Sequence, residues 1–132
     1  MPVNDPVSDM LTRIRNASLV RHGAVKMPAS RTKLAIGGIL KEEGYIKNCQ
    51  FVKDSPQGTI EIELAYFPKR RPAIGGLRRI SKPGLRIYAK KGNVPRSHRG
   101  IGISIITTSQ GIMTGYKAQK LGIGGELMCY VW

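Results

Sequence analysis

An α+β fold built from two small domains is predicted by three observations. Two early segments carry helical periodicity, the segment after them alternates as strands do, and the last third breaks into short β-prone runs between glycines and prolines. The length of 132 residues suits one ordinary domain or two small ones that share an interface.

The first element reads as a helix from about Pro6 to Ala17. Asp5 stands at the N-cap, Pro6 needs no donor at the first helical position, and Val7, Met10, Leu11 and Ile14 form the apolar stripe. Thr12, Arg13, Arg15 and Asn16 face away from it. A short strand through Val25 and Met27 stops at Pro28. Ser30 then caps a second helix that runs to about Glu43, with Ala35, Ile36, Ile39 and Leu40 inward and Gly44 as its left-handed end. Arg31 and Lys33 lie in its first turn, where cations oppose the helix dipole, so they are candidate phosphate contacts.

Two strands follow, about 46–53 and 59–66, around the turn-rich Asp54-Ser55-Pro56-Gln57-Gly58. Ile60, Ile62 and Leu64 alternate with Thr59, Glu61 and Glu63, which buries one face. The result is an αβαββ domain over residues 1–68, ended by the charged linker Lys69-Arg70-Arg71-Pro72.

Residues 69–132 read as a mostly antiparallel β domain with short helical pieces. Leu77–Ser81 and Leu85–Lys90 flank Lys82-Pro83-Gly84, a hairpin signal in which glycine supplies the positive φ of a type II turn. Arg78, Arg79, Arg86 and Lys90 sit on it with Tyr88 among them. An apolar strand, 101–106, enters Thr107-Thr108-Ser109-Gln110-Gly111, whose adjacent hydroxyls and terminal glycine are hard to explain by packing. Thr114 caps a short helix ending near Leu121, and Gly124-Gly125-Glu126 precedes a closing strand, 127–132.

Charge divides the chain. Residues 1–68 hold nine Lys/Arg and seven Asp/Glu, a net of +2, whereas residues 69–132 hold thirteen Lys/Arg and the single acid Glu126, a net of +12. Such a field attracts a polyanion and steers its association, and nucleic acid is the leading partner. An anionic membrane fits less well, because the cations lie on strand-like segments rather than on one amphipathic helix. No apolar run approaches the ~20 residues of a membrane span, and the N-terminus has no cationic start or apolar stretch of a secretory signal, so a cytoplasmic location is expected.

Catalytic and cofactor chemistry has little to stand on. Cys49 and Cys129 form no Cys-x-x-Cys pair and read as small buried hydrophobes. After Gly100 and Gly102 the third glycine of a phosphate-loop pattern is Ile105. His22 and His98 lie in separate polar loops, a weak basis for a ribonuclease. No catalytic residue, metal site or cofactor is expected. Ser and Thr hydroxyls beside glycine suit base edges, 2′-hydroxyls and phosphates instead. Glu126, unfavourable for phosphate, is expected either to accept from a base or sugar, or to pair with a nearby Arg or Lys.

Taken together, Asp5-Pro6-x-x-Asp9-Met10-Leu11-Thr12-Arg13-Ile14-Arg15-Asn16, Leu40-Lys41-Glu42-Glu43-Gly44, Ser81-Lys82-Pro83-Gly84-Leu85-Arg86-Ile87-Tyr88, Gly111-Ile112-Met113-Thr114 and 124–131 resemble the pattern of the bacterial ribosomal protein S-eight family across essentially the whole chain. The resemblance implies two tightly associated α/β domains and an RNA surface dominated by the second. It implies docking on the central domain of 16S rRNA, beside neighbours such as proteins S-five and S-twelve, in a bacterial or organellar ribosome. Binding to its own operon mRNA, as a translational repressor, is the alternative activity it suggests. On this pattern Thr107, Thr108, Ser109 and Gly111 meet an irregular rRNA helix, with Thr107 standing where serine is usual. Gly124, Gly125 and Glu126 and the segment of Ser30, Arg31 and Lys33 also lie near RNA, and Arg86 and Tyr88 complete the expected surface.

Overall fold

The computed structural model describes residues 5–132. Met1–Asn4, on which the reading of the N-terminus partly rests, lie outside the described residues. The chain forms two compact units, one of residues 6–75 and one of residues 76–132 together with Asp5. The division falls at Gly75/Gly76, a few residues beyond the charged linker.

In the first unit α1 (Pro6–Leu19) and α2 (Arg31–Glu42) accompany an antiparallel sheet ordered β1 (Ala24–Pro28), β3 (Thr59–Leu64), β2 (Ile46–Val52). The apolar stripes end in the core: Met10, Leu11, Ile14, Ile36, Leu40, Ile60 and Ile62 are all but inaccessible. Ser30 caps α2 by accepting from the Lys33 amide at 3.1 Å, and Gly44 takes φ +81 beyond its end. A short ribbon of β4 (Tyr66–Phe67) and β5 (Arg71–Pro72) was not legible in the sequence.

The second unit is a five-stranded antiparallel sheet with one helix. Its centre is β10 (Gly125–Val131), paired along one edge with β8 (Ile103–Thr108), which pairs in turn with β9 (Gly111–Thr114). The other edge of β10 carries β6 (Leu77–Arg79) opposite residues 129–131 and β7 (Tyr88–Ala89) opposite residues 125–126.

The expected hairpin is therefore corrected. Lys82 and Leu85 do exchange backbone hydrogen bonds at 2.9 Å across Pro83-Gly84, but the flanking strands pair end to end with β10 rather than with each other. Gly84 also lies outside the positive-φ region, so the turn is not type II. A long central strand offers both segments a longer ladder than they could give one another.

The strand expected at 101–106 runs instead from Ile103 to Thr108 and turns back at once into β9, which periodicity did not reveal. Thr114 caps α3 (Gly115–Leu121) by accepting from the Lys117 amide, and Gly122 ends it in the left-handed region. Val94, Ile106, Met113 and Ala118 form the core beneath α3, with Ala89 and Ile123 packed on it.

Candidate nucleic-acid interface

Strand register places side chains of distant sequence in one row. Glu126 of β10 lies opposite Tyr88 of β7 on one side and Thr107 of β8 on the other, and Thr107 lies opposite Ile112 of β9. Since successive side chains alternate faces, this row points away from Ile106 and Met113, and so away from the core under α3. Tyr88 is 70% exposed.

Glu126 ties the row to Ser81 and Arg86. Its Oε2 accepts from Ser81 Oγ at 2.6 Å and from Arg86 NH1 at 3.0 Å, while Ser81 Oγ also accepts from the Ile87 amide at 3.0 Å. Ser81 is fully buried. Burial of the Glu126 carboxyl works against ionisation, but hydrogen bonds from Ser81 and Arg86 and the charges of Arg86 and Arg79 outweigh it, holding the group below the usual carboxylate range. Of the two expectations for this acid, the pairing is what the fold displays: Oε2 engages Arg86 and orients it.

The hydroxyls of the loop are not equivalent. Thr107 donates to Met128 Sδ at 2.7 Å, where Met128 is the extra residue of a bulge between Leu127 and Cys129. Thr108 falls on the opposite face by alternation. Its Oγ1 donates to the Gly111 carbonyl at 2.8 Å and accepts from the Gln110 amide at 3.1 Å, which braces the turn. Ser109, at the tip, is exposed, and its hydroxyl has no partner among the described residues. Gly111 adopts φ +109, a conformation that L side chains rarely tolerate.

Gly124 and Gly125 are glycine for reasons of packing. A Cβ on Gly125 would stand 2.0 Å from the Thr107 carbonyl oxygen, and one on Gly124 would stand 2.3 Å from that of Ala89. The three strands approach too closely for any side chain there.

Ser30, Arg31 and Lys33 sit in the other unit. Arg31 is exposed, but Lys33 is buried and its ammonium donates to the Pro28 carbonyl at 3.0 Å. Burial lowers its pKa, Arg13 adds to the effect, and Asp9 opposes it. The side chain thus fixes the strand end before α2.

Sequence reading missed two features. Ser81 as the centre of a buried network carries no local signal. An exposed cluster of Arg96, Tyr116 and Lys120 was also missed, although the Tyr116 and Lys120 spacing of i, i+4 on a helix could have suggested half of it. Among the described residues no group of three or more His, Cys, Asp or Glu could hold a metal ion. His98 stacks on Trp132 with centroids 5.0 Å apart.

Fold and surface define a two-unit α+β protein whose second unit carries a basic, hydroxyl-bearing sheet face. The family model described as Ribosomal protein S8 matches residues 5–132, and the chain belongs to that family. It is 56% identical over 132 residues to the small ribosomal subunit protein uS8 of Caldicellulosiruptor bescii, and 53% identical over 133 residues to that of Chloroflexus aggregans. That of Syntrophomonas wolfei is 52% identical. Each alignment covers the whole of both chains. These relatives are named as ribosomal proteins and not as enzymes. No helix among the described residues is long and apolar enough to cross a membrane.

Proposed function

We propose that this chain is a structural, non-catalytic component of the small ribosomal subunit, located with ribosomes in the cytoplasm, that binds the central domain of 16S rRNA directly and helps assemble the subunit platform. The observation that carries the reading is the row of Tyr88, Glu126 and Thr107 beside the unpartnered Ser109 hydroxyl, within a half of net charge +12. Cations supply affinity for any RNA, whereas a fixed set of donors and acceptors on a sheet face discriminates among RNAs.

Roles divide accordingly. Ser109 and Tyr88 are the groups offered to base or sugar, and Arg86, oriented by Glu126, meets an adjacent phosphate or base edge. Thr107, Thr108, Gly111, Gly124 and Gly125 hold the surface in shape. Arg31 adds a phosphate contact from the first unit, and Ser30 and Lys33 position its helix. An operon mRNA with the same shape would meet the same groups, so autoregulation would use this surface without further residues. Proteins S-five and S-twelve are the neighbours that the family resemblance suggests.

Binding of native protein and Ser109→Ala to full-length small-subunit rRNA and to a random RNA of equal length tests the proposal. A loss confined to the rRNA supports it. Equal affinity of native protein for both RNAs would refute it.

A further inference from the structure

Arg96, Tyr116 and Lys120 form an ordered cationic cluster that the surface described above does not use. The Arg96 guanidinium lies 5.1 Å from the Tyr116 ring centroid and the Lys120 ammonium 4.7 Å from it, so the two cations are no more than about 10 Å apart, about one Debye length at ~0.1 M salt. Tyr116 is 48% exposed, and both cations are exposed. Arg96 Nε donates to Gln119 Oε1 at 2.6 Å, and the Gln119 amide donates to the Val94 carbonyl. The guanidinium is thereby fixed in place by a neutral acceptor, and its two terminal amino groups have no partner among the described residues.

Among the described residues no carboxylate forms an ion pair with Arg96 or Lys120, and Asp5, which belongs to the same unit, is engaged by Arg79. The single acid of the second unit's sequence after Gly76 is Glu126, already engaged by Ser81 and Arg86. A tyrosine ring attracts both cations through its quadrupole without neutralising either. Like charges held together and left uncompensated call for an anion from outside. The cations occupy the positions over the ring where a base would stack, whereas the free guanidinium fork and the ammonium suit phosphate oxygens.

Position adds a constraint. Tyr116 and Lys120 lie on α3, which covers the Ile106 and Met113 face of the sheet, while Thr107, Glu126 and Tyr88 point from the opposite face. One short stretch of RNA backbone does not reach both sides of a sheet covered by a helix.

We infer that Arg96, Tyr116 and Lys120 form a binding point for a phosphodiester of a second RNA segment, on the side of the sheet opposite the row that carries Glu126. The inference rests on the RNA-binding reading above and extends it from one contact to two. The protein then fastens two separate stretches of a folded RNA.

The test uses the full chain, as native protein, Arg96→Gln/Lys120→Gln and Ser109→Ala. Each is titrated at several salt concentrations against full-length small-subunit rRNA and against the shortest hairpin whose affinity Ser109→Ala lowers. The double variant should bind full-length rRNA about tenfold more weakly, with a slope of log K against log salt smaller by about one to two, and should bind the hairpin as native protein does. An unchanged slope on full-length rRNA overturns the inference, whether or not thermal melting shows that the cluster stabilises α3. Equal losses on the hairpin overturn the second segment. If Ser109→Ala discriminates no RNA while the double variant still loses slope on full-length rRNA, the earlier reading fails and the phosphate contact stands.

Discussion

Replacing Ser81 by alanine should destabilise the second unit by about 3 kcal/mol, far more than the loss of one exposed serine would suggest. The hydroxyl is fully buried, donates to the charged Glu126 at 2.6 Å, and accepts from the Ile87 amide at 3.0 Å. A hydrogen bond to a charged group contributes about 1.5–3 kcal/mol, and leaving a half-buried amide without a partner costs a further ~1 kcal/mol or more. Glu126 would keep Arg86 as its one hydrogen-bond donor among these, and because that side chain is half exposed the pair would compensate little. The corresponding fall in melting temperature is roughly 12–24 °C for a unit of this size.

The effect depends on pH in a defined direction. Glu126 titrates below its unfolded value, so its network contributes fully above the unfolded carboxylate pKa of about 4.3 and is lost as pH falls through the lower folded value. Urea unfolding of native protein and Ser81→Ala at pH 7 and again near pH 3 measures this. A large difference at pH 7 that shrinks in acid is expected. A difference below about 0.5 kcal/mol at pH 7, or one of the same size at both pH values, would refute the reasoning.

Two further predictions follow from close packing. Gly125→Ala, whose Cβ would stand 2.0 Å from the Thr107 carbonyl oxygen, should destabilise by about 2–4 kcal/mol, as denaturant unfolding would show, and so lower RNA binding through loss of fold rather than of contact. Cys129 is wholly buried and its thiol is pushed up to about 12, chiefly by desolvation, so at pH 8 a thiol reagent should label half-buried Cys49 first and Cys129 only as the protein unfolds.

Helices and the first sheet were legible because their signals are local. Val7, Met10, Leu11 and Ile14 repeat at helical spacing, and Ser30 announces a cap three residues before the amide it receives. The second unit was legible in class but not in pairing. Pro83-Gly84 does make a tight turn, yet which strand residues 77–79 and 88–89 join is decided by β10, some 40 residues later. For the same reason the sequence marked Thr107, Glu126 and Tyr88 singly, and only register shows them side by side. Hydroxyl clusters look alike in a sequence. The fold separates Ser109, whose hydroxyl has no partner among the described residues, from Thr107 and Thr108, whose hydroxyls meet Met128 and Gly111.

The central claim, that a fixed sheet surface reads RNA while the basic field supplies general affinity, is tested most directly by one titration series. Native protein, Ser109→Ala and Lys90→Ala, each shown to be folded, are titrated at several salt concentrations against the cognate rRNA hairpin and a scrambled one. Ser109→Ala should lose about 1–3 kcal/mol on the cognate hairpin alone with its salt slope unchanged. Lys90→Ala, which removes an exposed cation, should weaken both and lower the slope by about one. If Ser109→Ala binds the cognate hairpin as native protein does, the exposed hydroxyl is not a reader, and the account of the surface is contradicted.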